Sequence, residues 1–399
     1  MHAFSSLFIT ALLLSAAPLA AQDWRPAPGL LDTIDRTMHH AAGQYRVLMA
    51  AVPEGRFPKT YHPDRKEHEW SGPGWWCSGF YPGTLLYLYE ATGDPSLLAE
   101  ARRSLDALEG EQHNTTTHDL GFMMYCSFGH LQELQPSDTT ERILLTSAAS
   151  LATRFNDTVG AIRSWDSRPE DFLVIIDNMM NLELLYYASR VSGDSTYAAV
   201  ATTHANTTMA HHFRPDHSSY HVVNYDPATG AVKERKTAQG YADASAWARG
   251  QAWGLYGYMA TYADTGDPRY LEQARAIAAF ILDHPNLPAD KVPYWDFNAP
   301  DIPDALRDAS AGAVLAAGLL GLSDHVEGTE RDRYRRAAET ILRTLSGEEY
   351  LAEAGGNGGY LLKHGVGHIP QGTEVDVPLT YADYYFVEAM HRYRALADR

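Results

Sequence analysis

Three stretches decide how this 399-residue chain is built: Tyr89-Glu90-Ala91-Thr92-Gly93-Asp94-Pro95, Ser189-Arg190-Val191-Ser192-Gly193-Asp194-Ser195 and Tyr262-Ala263-Asp264-Thr265-Gly266-Asp267-Pro268. Each closes an apolar helical stretch with Gly and opens the next with Asp. Gly tolerates the left-handed conformation that ends a helix, and Asp caps the free N–H groups of the helix that follows. Pro, in two of the three, fits the first helical position, where no N–H is needed. Beyond the first turn, Leu97, Leu98, Ala101, Leu105 and Leu108 recur at helical spacing. The unit is a helical hairpin. Its recurrence leaves two architectures, an open solenoid or a closed ring of helix pairs. The units vary in length, and long loops carrying Trp, His and Pro separate them. That favours a closed all-α toroid whose loops build a pocket at one end.

Signals for β structure are sparse. Residues 218–226, with Tyr220, Val222 and Val223, predict one short strand, followed by the turn Pro227-Ala228-Thr229-Gly230. No interior stretch reads as a linker, so residues 22–399 are expected to form one domain. Residues 7–19 are an apolar run rich in Leu and Ala, and Leu19-Ala20-Ala21 supplies small residues for cleavage before Gln22 or Asp23. Although no Lys or Arg precedes the run, residues 1–21 read as a signal peptide, and the expected location is periplasmic or secreted. The two cysteines, Cys77 and Cys126, read as small buried hydrophobes, because a chain this long needs no staple.

Formal net charge is −18, and residues 1–21 contain none of the Asp, Glu, Lys or Arg behind it. Such a surface repels nucleic acid and anionic membranes, so neither is an expected partner. Beyond the N-terminus no apolar run is long enough to span a bilayer, so no membrane insertion is expected. An anionic sugar would need a local basic or hydrogen-bonding pocket. His204, His211 and His212 lack a carboxylate at a metal-binding spacing, so no metal is expected.

Three clusters carry candidate chemistry. In Thr115-Thr116-Thr117-His118-Asp119-Leu120-Gly121-Phe122, a His-Asp pair precedes a helix expected over 122–134, where Asp119 stands as an N-cap or a catalytic carboxylate. Asp177 follows the apolar run Phe172-Leu173-Val174-Ile175-Ile176 and opens a helix expected over 178–190. Desolvation by that run would raise its pKa, as a general acid near neutral pH requires, whereas a helix N-terminus would favour the anion. In Trp247-Ala248-Arg249-Gly250-Gln251-Ala252-Trp253-Gly254-Leu255-Tyr256-Gly257, Arg249 and Trp253 share a helix face. Arg offers a planar fork for a carboxylate and Trp a flat face for a sugar ring. The three glycines are costly in a helix and point either to close packing or to a site.

With Trp76-Cys77-Ser78-Gly79-Phe80-Tyr81-Pro82-Gly83, Asp177-Asn178-Met179-Met180-Asn181, Pro293-Tyr294-Trp295-Asp296-Phe297 plus Arg307-Asp308-Ala309-Ser310-Ala311, and Tyr381-Ala382-Asp383-Tyr384-Tyr385-Phe386-Val387-Glu388-Ala389, these clusters form ordered blocks from about Trp70 to the C-terminus. Together they resemble the unsaturated glucuronyl hydrolases, glycoside hydrolase family 88. The resemblance implies an (α/α)6 toroid of six hairpins with few short strands. It implies hydration of the C4=C5 bond of a terminal unsaturated uronate left on an oligosaccharide by a polysaccharide lyase, without metal or organic cofactor. On matching positions Asp177 is the acid and base, Asp119 its assistant, and His221, Gln239, Arg249, Trp253, Trp76 and His118 are substrate contacts. A vinyl ether needs a single proton donor aimed at carbon, unlike the paired carboxylates of ordinary acetal hydrolysis. The rival readings are an unsaturated rhamnogalacturonyl hydrolase acting on pectin fragments, a non-catalytic oligosaccharide-binding toroid, and an inverting glycosidase on saturated sugars. Oligomeric state and the parent polysaccharide stay open.

Overall fold

The computed structural model describes residues 24–398. The apolar run at 7–19 and the expected cleavage position at Gln22 lie outside the described residues.

Each Gly-Asp turn adopts the geometry its residues dictate. Gly93, Gly193 and Gly266 sit at φ of 70°, 75° and 67°, while Asp94, Asp194 and Asp267 accept the N–H of Ser96, Thr196 and Arg269. These turns join helices in pairs. In chain order the helices are α1 (Pro28–Ala51), α2 (Phe80–Thr92), α3 (Pro95–Leu108), α4 (His130–Leu134), α5 (Asp138–Ala152), α6 (Leu182–Ser192), α7 (Ser195–His211), α8 (Ala248–Thr265), α9 (Pro268–Asp283), α10 (Ala309–Ser323), α11 (Gly328–Leu345) and α12 (Thr380–Ala395).

The even-numbered helices, with the helical stretch Gly121–Gly129 that runs into α4 and joins α2 to α6, form an inner ring that closes when α12 packs against α2, and the odd-numbered ones pack outside their partners. The protein is an (α/α)6 toroid. Composition explains which helix goes where. All of α10 is buried, and its Ala, Gly and Leu residues are apolar on every side. In α11 only the stripe Tyr334, Ala337, Ala338, Ile341, Leu342 and Leu345 is buried, as befits an outer amphipathic helix.

Connections differ sharply at the two ends. After α2, α6 and α8 the turn is two residues long, at 93–94, 193–194 and 266–267. Before every inner helix runs a long loop, at 52–79, 109–120, 153–175, 212–247, 284–308 and 346–379, partly folded into short antiparallel strands. The candidate site residues lie in or directly after these loops, apart from Trp253 in the second turn of α8, so they gather at the N-terminal ends of the inner helices.

Two helix expectations need correction. The helix expected at 122–134 is wide, π-type helix over Gly121–Gly129 and ordinary α-helix only over His130–Leu134. The helix expected at 178–190 begins as a tight 3-10 turn, Ile176–Asn181, before α6. Crowding accompanies both departures. A Cβ on Gly79 would stand 2.2 Å from the Met123 carbonyl oxygen, and one on Gly121 would stand 2.4 Å from Asn181 Cα. The apolar run before Asp177 is strand Phe172–Ile175, paired with Val222–Tyr225, which is the core of the strand expected at 218–226. Cys77 and Cys126 are both unbonded thiols. Among the described residues no helix is long and apolar enough to cross a membrane.

Candidate active site

Neither candidate aspartate caps a helix with its side chain. Asp119 Oδ2 accepts the Thr117 hydroxyl at 3.1 Å, and its Oδ1 lies 3.2 Å from His118 Nε2, within ion-pair distance but outside hydrogen-bond geometry. Asp177 has a different setting. Its Oδ2 is buried, makes no hydrogen bond, and faces His221 Nε2 at 3.5 Å, which also makes none. The backbone N–H groups of Ala238 and Gln239 both donate to His221 Nδ1, at 3.2 and 3.1 Å. That places the ring proton on Nε2, directed at Asp177. Two unsatisfied buried polar atoms facing one another are rare in folded proteins and mark a place built for a third group.

A pocket joins these residues. It is lined by Trp76, His118, Asp119, Phe122, Trp165, Ile175, Asp177, Gln239, Trp247, Arg249 and Trp253. Seven of the eight sequence-predicted residues line it, and His221 stands directly behind, its ring 4.4 Å from that of Trp247 and tilted by 31°. Trp165 is missing from the sequence reading, because it sits in a loop with no periodicity. Trp247 and Phe122 belong to the Trp247–Gly257 and Thr115–Phe122 stretches and line the pocket beside the expected residues. A wider groove of about 960 Å³ runs between residues 59–69 and 372–378, with both charge signs along it, but neither aspartate lines it.

Burial holds the Asp119 carboxyl above the ordinary aspartate range. Charge on Asp177 adds to that rise, while His118, the Thr117 hydroxyl and Arg154 oppose it. Asp177→Asn removes one raising influence and leaves burial in place. Asp119 should then titrate at lower pH than in the unsubstituted protein. A carbon-13 NMR titration of labelled aspartate carboxyls checks the direction, and an unmoved Asp119 would show that the two charges do not communicate.

Arg249 is more constrained than its sequence suggests. Nη1 donates to Asp308 Oδ2 at 2.8 Å and to the Val366 carbonyl, and Nη2 to Gln239 Oε1 at 2.7 Å and the Gly367 carbonyl at 2.9 Å. Trp247 and Tyr381 cover its faces. Its fork is therefore engaged by protein acceptors, and Gln239, anchored through Oε1, keeps its amide N–H groups free for the pocket. Trp253, only 1% exposed, is wedged between Phe122 and Tyr385 and forms floor rather than platform. The half-buried aromatic walls are Trp76 and Trp165.

The glycines of α8 serve the site by packing. A Cβ on Gly257 would stand 2.5 Å from Met179 Cβ, and one on Gly250 would stand 2.8 Å from the Trp247 ring and 3.3 Å from Ile176. Gly257 and Gly250 thus let α8 press onto the 3-10 turn that carries Asp177. Gly257→Ala should cost about 1–3 kcal/mol by overpacking and lower turnover by displacing that turn. Chemical denaturation paired with initial rates tests this; unchanged values for both would refute the packing argument.

No protein-family model matches the sequence. An unsaturated glucuronyl hydrolase of Formosa agariphila is 47% identical over 320 residues, covering 79% of this chain and 79% of that protein. The chain belongs to the unsaturated glucuronyl hydrolases. A crystal structure of an unsaturated glucuronyl hydrolase specific for heparin superposes with a TM-score of 0.89 at 46% identity, covering 92% of this chain and 98% of the other. A structure of such an enzyme with dGlcA-Glc-Rha-Glc gives a TM-score of 0.84 at 31% identity, covering 89% and 95%. Membership in the unsaturated glucuronyl hydrolases makes this protein a glycoside hydrolase and sets aside both the pectin-directed and the non-catalytic readings.

Proposed function

We propose that Asp177 and Asp119 carry out the family's reaction, the removal of a terminal unsaturated uronic acid from a glycosaminoglycan-derived oligosaccharide. The observation that carries this reading is the buried, unpartnered Asp177 Oδ2 facing His221 Nε2 inside an aromatic pocket. Protonated Asp177 gives its proton to C4, and the π electrons of C4=C5 form the new C–H bond. The positive charge that develops at C5 is shared with the ring oxygen. Water then attacks C5 and surrenders a proton to the Asp177 carboxylate, which regenerates the acid. The hemiketal opens by cleavage of C5–O5 to a C5 ketone, the freed O5 becomes the hydroxyl of a C1 hemiacetal, and collapse of that hemiacetal to the C1 aldehyde releases the neighbouring sugar as an alcohol. Asp119, whose oxygens are already engaged by Thr117 and approached by His118, stabilises the developing charge and orients the water.

The pocket is lined from the N-terminal ends of successive inner segments, by Trp76 before α2, Asp119 and Phe122 at the helical stretch from Gly121, Asp177 before α6 and Arg249 in α8, and the positive ends of those helix dipoles suit the substrate carboxylate. Gln239 is the uronate's hydrogen-bond donor, held in place by Arg249. Trp76 and Trp165 bracket the ring.

Incubation with lyase-generated unsaturated disaccharides from heparin, chondroitin and hyaluronan tests the reading. The 46% identical neighbour makes heparin the first arm. Loss of the conjugated-alkene ultraviolet absorbance is expected on at least one substrate, and none on any would reject it. The apolar run at 7–19 further supports export, to the periplasm or beyond the cell. Mass spectrometry of the mature protein should find Gln22 or Asp23 at its N-terminus; retention of Met1 would refute that.

A further inference from the structure

We infer that Arg154 is a positioning residue for this reaction: its buried guanidinium locks the loop that carries Asp119 to the loop that carries Trp165 and leads to Asp177. Arg154 follows the end of α5, and its side chain is 5% exposed. Nη1 donates to the Thr115 carbonyl at 2.8 Å, Nε to the Arg163 carbonyl at 2.9 Å, and Nη2 to the Ser164 carbonyl at 3.3 Å and Asp166 Oδ1 at 3.0 Å. Thr115 opens the run in which Thr117 holds Asp119. Ser164 extends the clamp in the other direction. Its N–H donates to the Leu173 carbonyl at 2.8 Å, and its hydroxyl accepts from Ile175 N at 3.0 Å and Asn178 Nδ2 at 3.4 Å, residues on either side of Asp177.

One cation therefore fixes two loops that precede different inner helices, with Trp165 between its contacts at 164 and 166. The arrangement is costly as pure scaffolding. The paired acid, Asp166, is 61% exposed and contributes little, so three backbone carbonyls solvate most of a buried charge. Four donors on one rigid plane can meet acceptors from two loops at once, whereas a lysine ammonium cannot reproduce that fork. Arg154 also acts through space, as one of the charges that oppose the rise of the Asp119 pKa.

The inference rests on the hydration reading, and its test separates the two. The full chain, Arg154→Lys and Arg154→Met are assayed on the same unsaturated disaccharide over a range of pH. Both variants should lose about 10²-fold or more in kcat, with KM changed by less than about threefold, as expected for a displacement of roughly 1 Å. In Arg154→Met the acid limb of kcat/KM should move to higher pH, because a cation that held Asp119 down is gone; Arg154→Lys should keep the limb nearer its original place. If Arg154→Met does not fold, Arg154→Lys decides on kcat alone. Variants that keep kcat within about twofold, or lose it only in proportion to folded protein with the acid limb unmoved, overturn the inference. An unsubstituted protein without activity would overturn the hydration reading instead.

Discussion

Asp177→Asn should lower kcat by about 10³-fold, within the roughly 10²–10⁴-fold that a positioned general acid and base supplies, while substrate binding is largely kept. The substitution preserves shape and volume in a buried site. The asparagine carbonyl oxygen can still face the Nε2–H of His221, so the wall of the pocket has no reason to move. What disappears is the proton for C4 and the base that receives one back from water. Asp119→Asn should cost less, because both oxygens of Asp119 already have neighbours and its part is electrostatic and orienting. Initial rates by ultraviolet absorbance, with binding measured by calorimetry, check both. Near-normal turnover in Asp177→Asn, or a larger loss in Asp119→Asn, would reverse the assignment of roles.

The parts of the fold legible in the sequence are those set by neighbouring residues. Gly93-Asp94-Pro95 states a helix end, a cap and a first turn within three positions, and the structure reproduces all of them. Closure of the ring is not written locally, since it depends on α12 returning to α2 across almost the whole chain. The aspartates show the opposite failure. Asp119 and Asp177 each stand where a cap belongs, but close tertiary packing at Gly79, Gly121 and Gly257 accompanies altered helix starts, and neither side chain caps a helix. His221 carries no local signal either. Its value comes from two N–H donors 17 and 18 residues away, which fix the proton on the ring nitrogen facing Asp177. Trp165 and Arg154 lie in or beside a loop without periodicity, so neither hydrophobic pattern nor motif marks them.

Arg249→Ala should destabilise the folded protein by about 3–5 kcal/mol, the usual cost of leaving one member of a buried ion pair without its partner, as well as weakening uronate binding. Read from sequence, Arg249 is a fork for the substrate carboxylate, and its loss would chiefly raise KM. Its actual partners come from 59 and 117 residues further along the chain, at Asp308 and Val366. Asp308 is fully buried and also caps α10 through Ser310, so removing the guanidinium strands a charge at a helix start. The 366–367 strand loses its tie to α8, and Gln239 loses the anchor that turns its amide toward the pocket. The two effects can be separated with Arg249→Met combined with Asp308→Asn. That pair removes the stranded charge, and the amide oxygen of the introduced asparagine can still accept from the backbone N–H of Ser310 and Val366, as the Asp308 carboxylate does. Denaturant unfolding should therefore recover much of the lost stability, while KM stays high because Gln239 is still unanchored. Full stability in Arg249→Ala with a raised KM would instead make the guanidinium a direct ligand of the uronate.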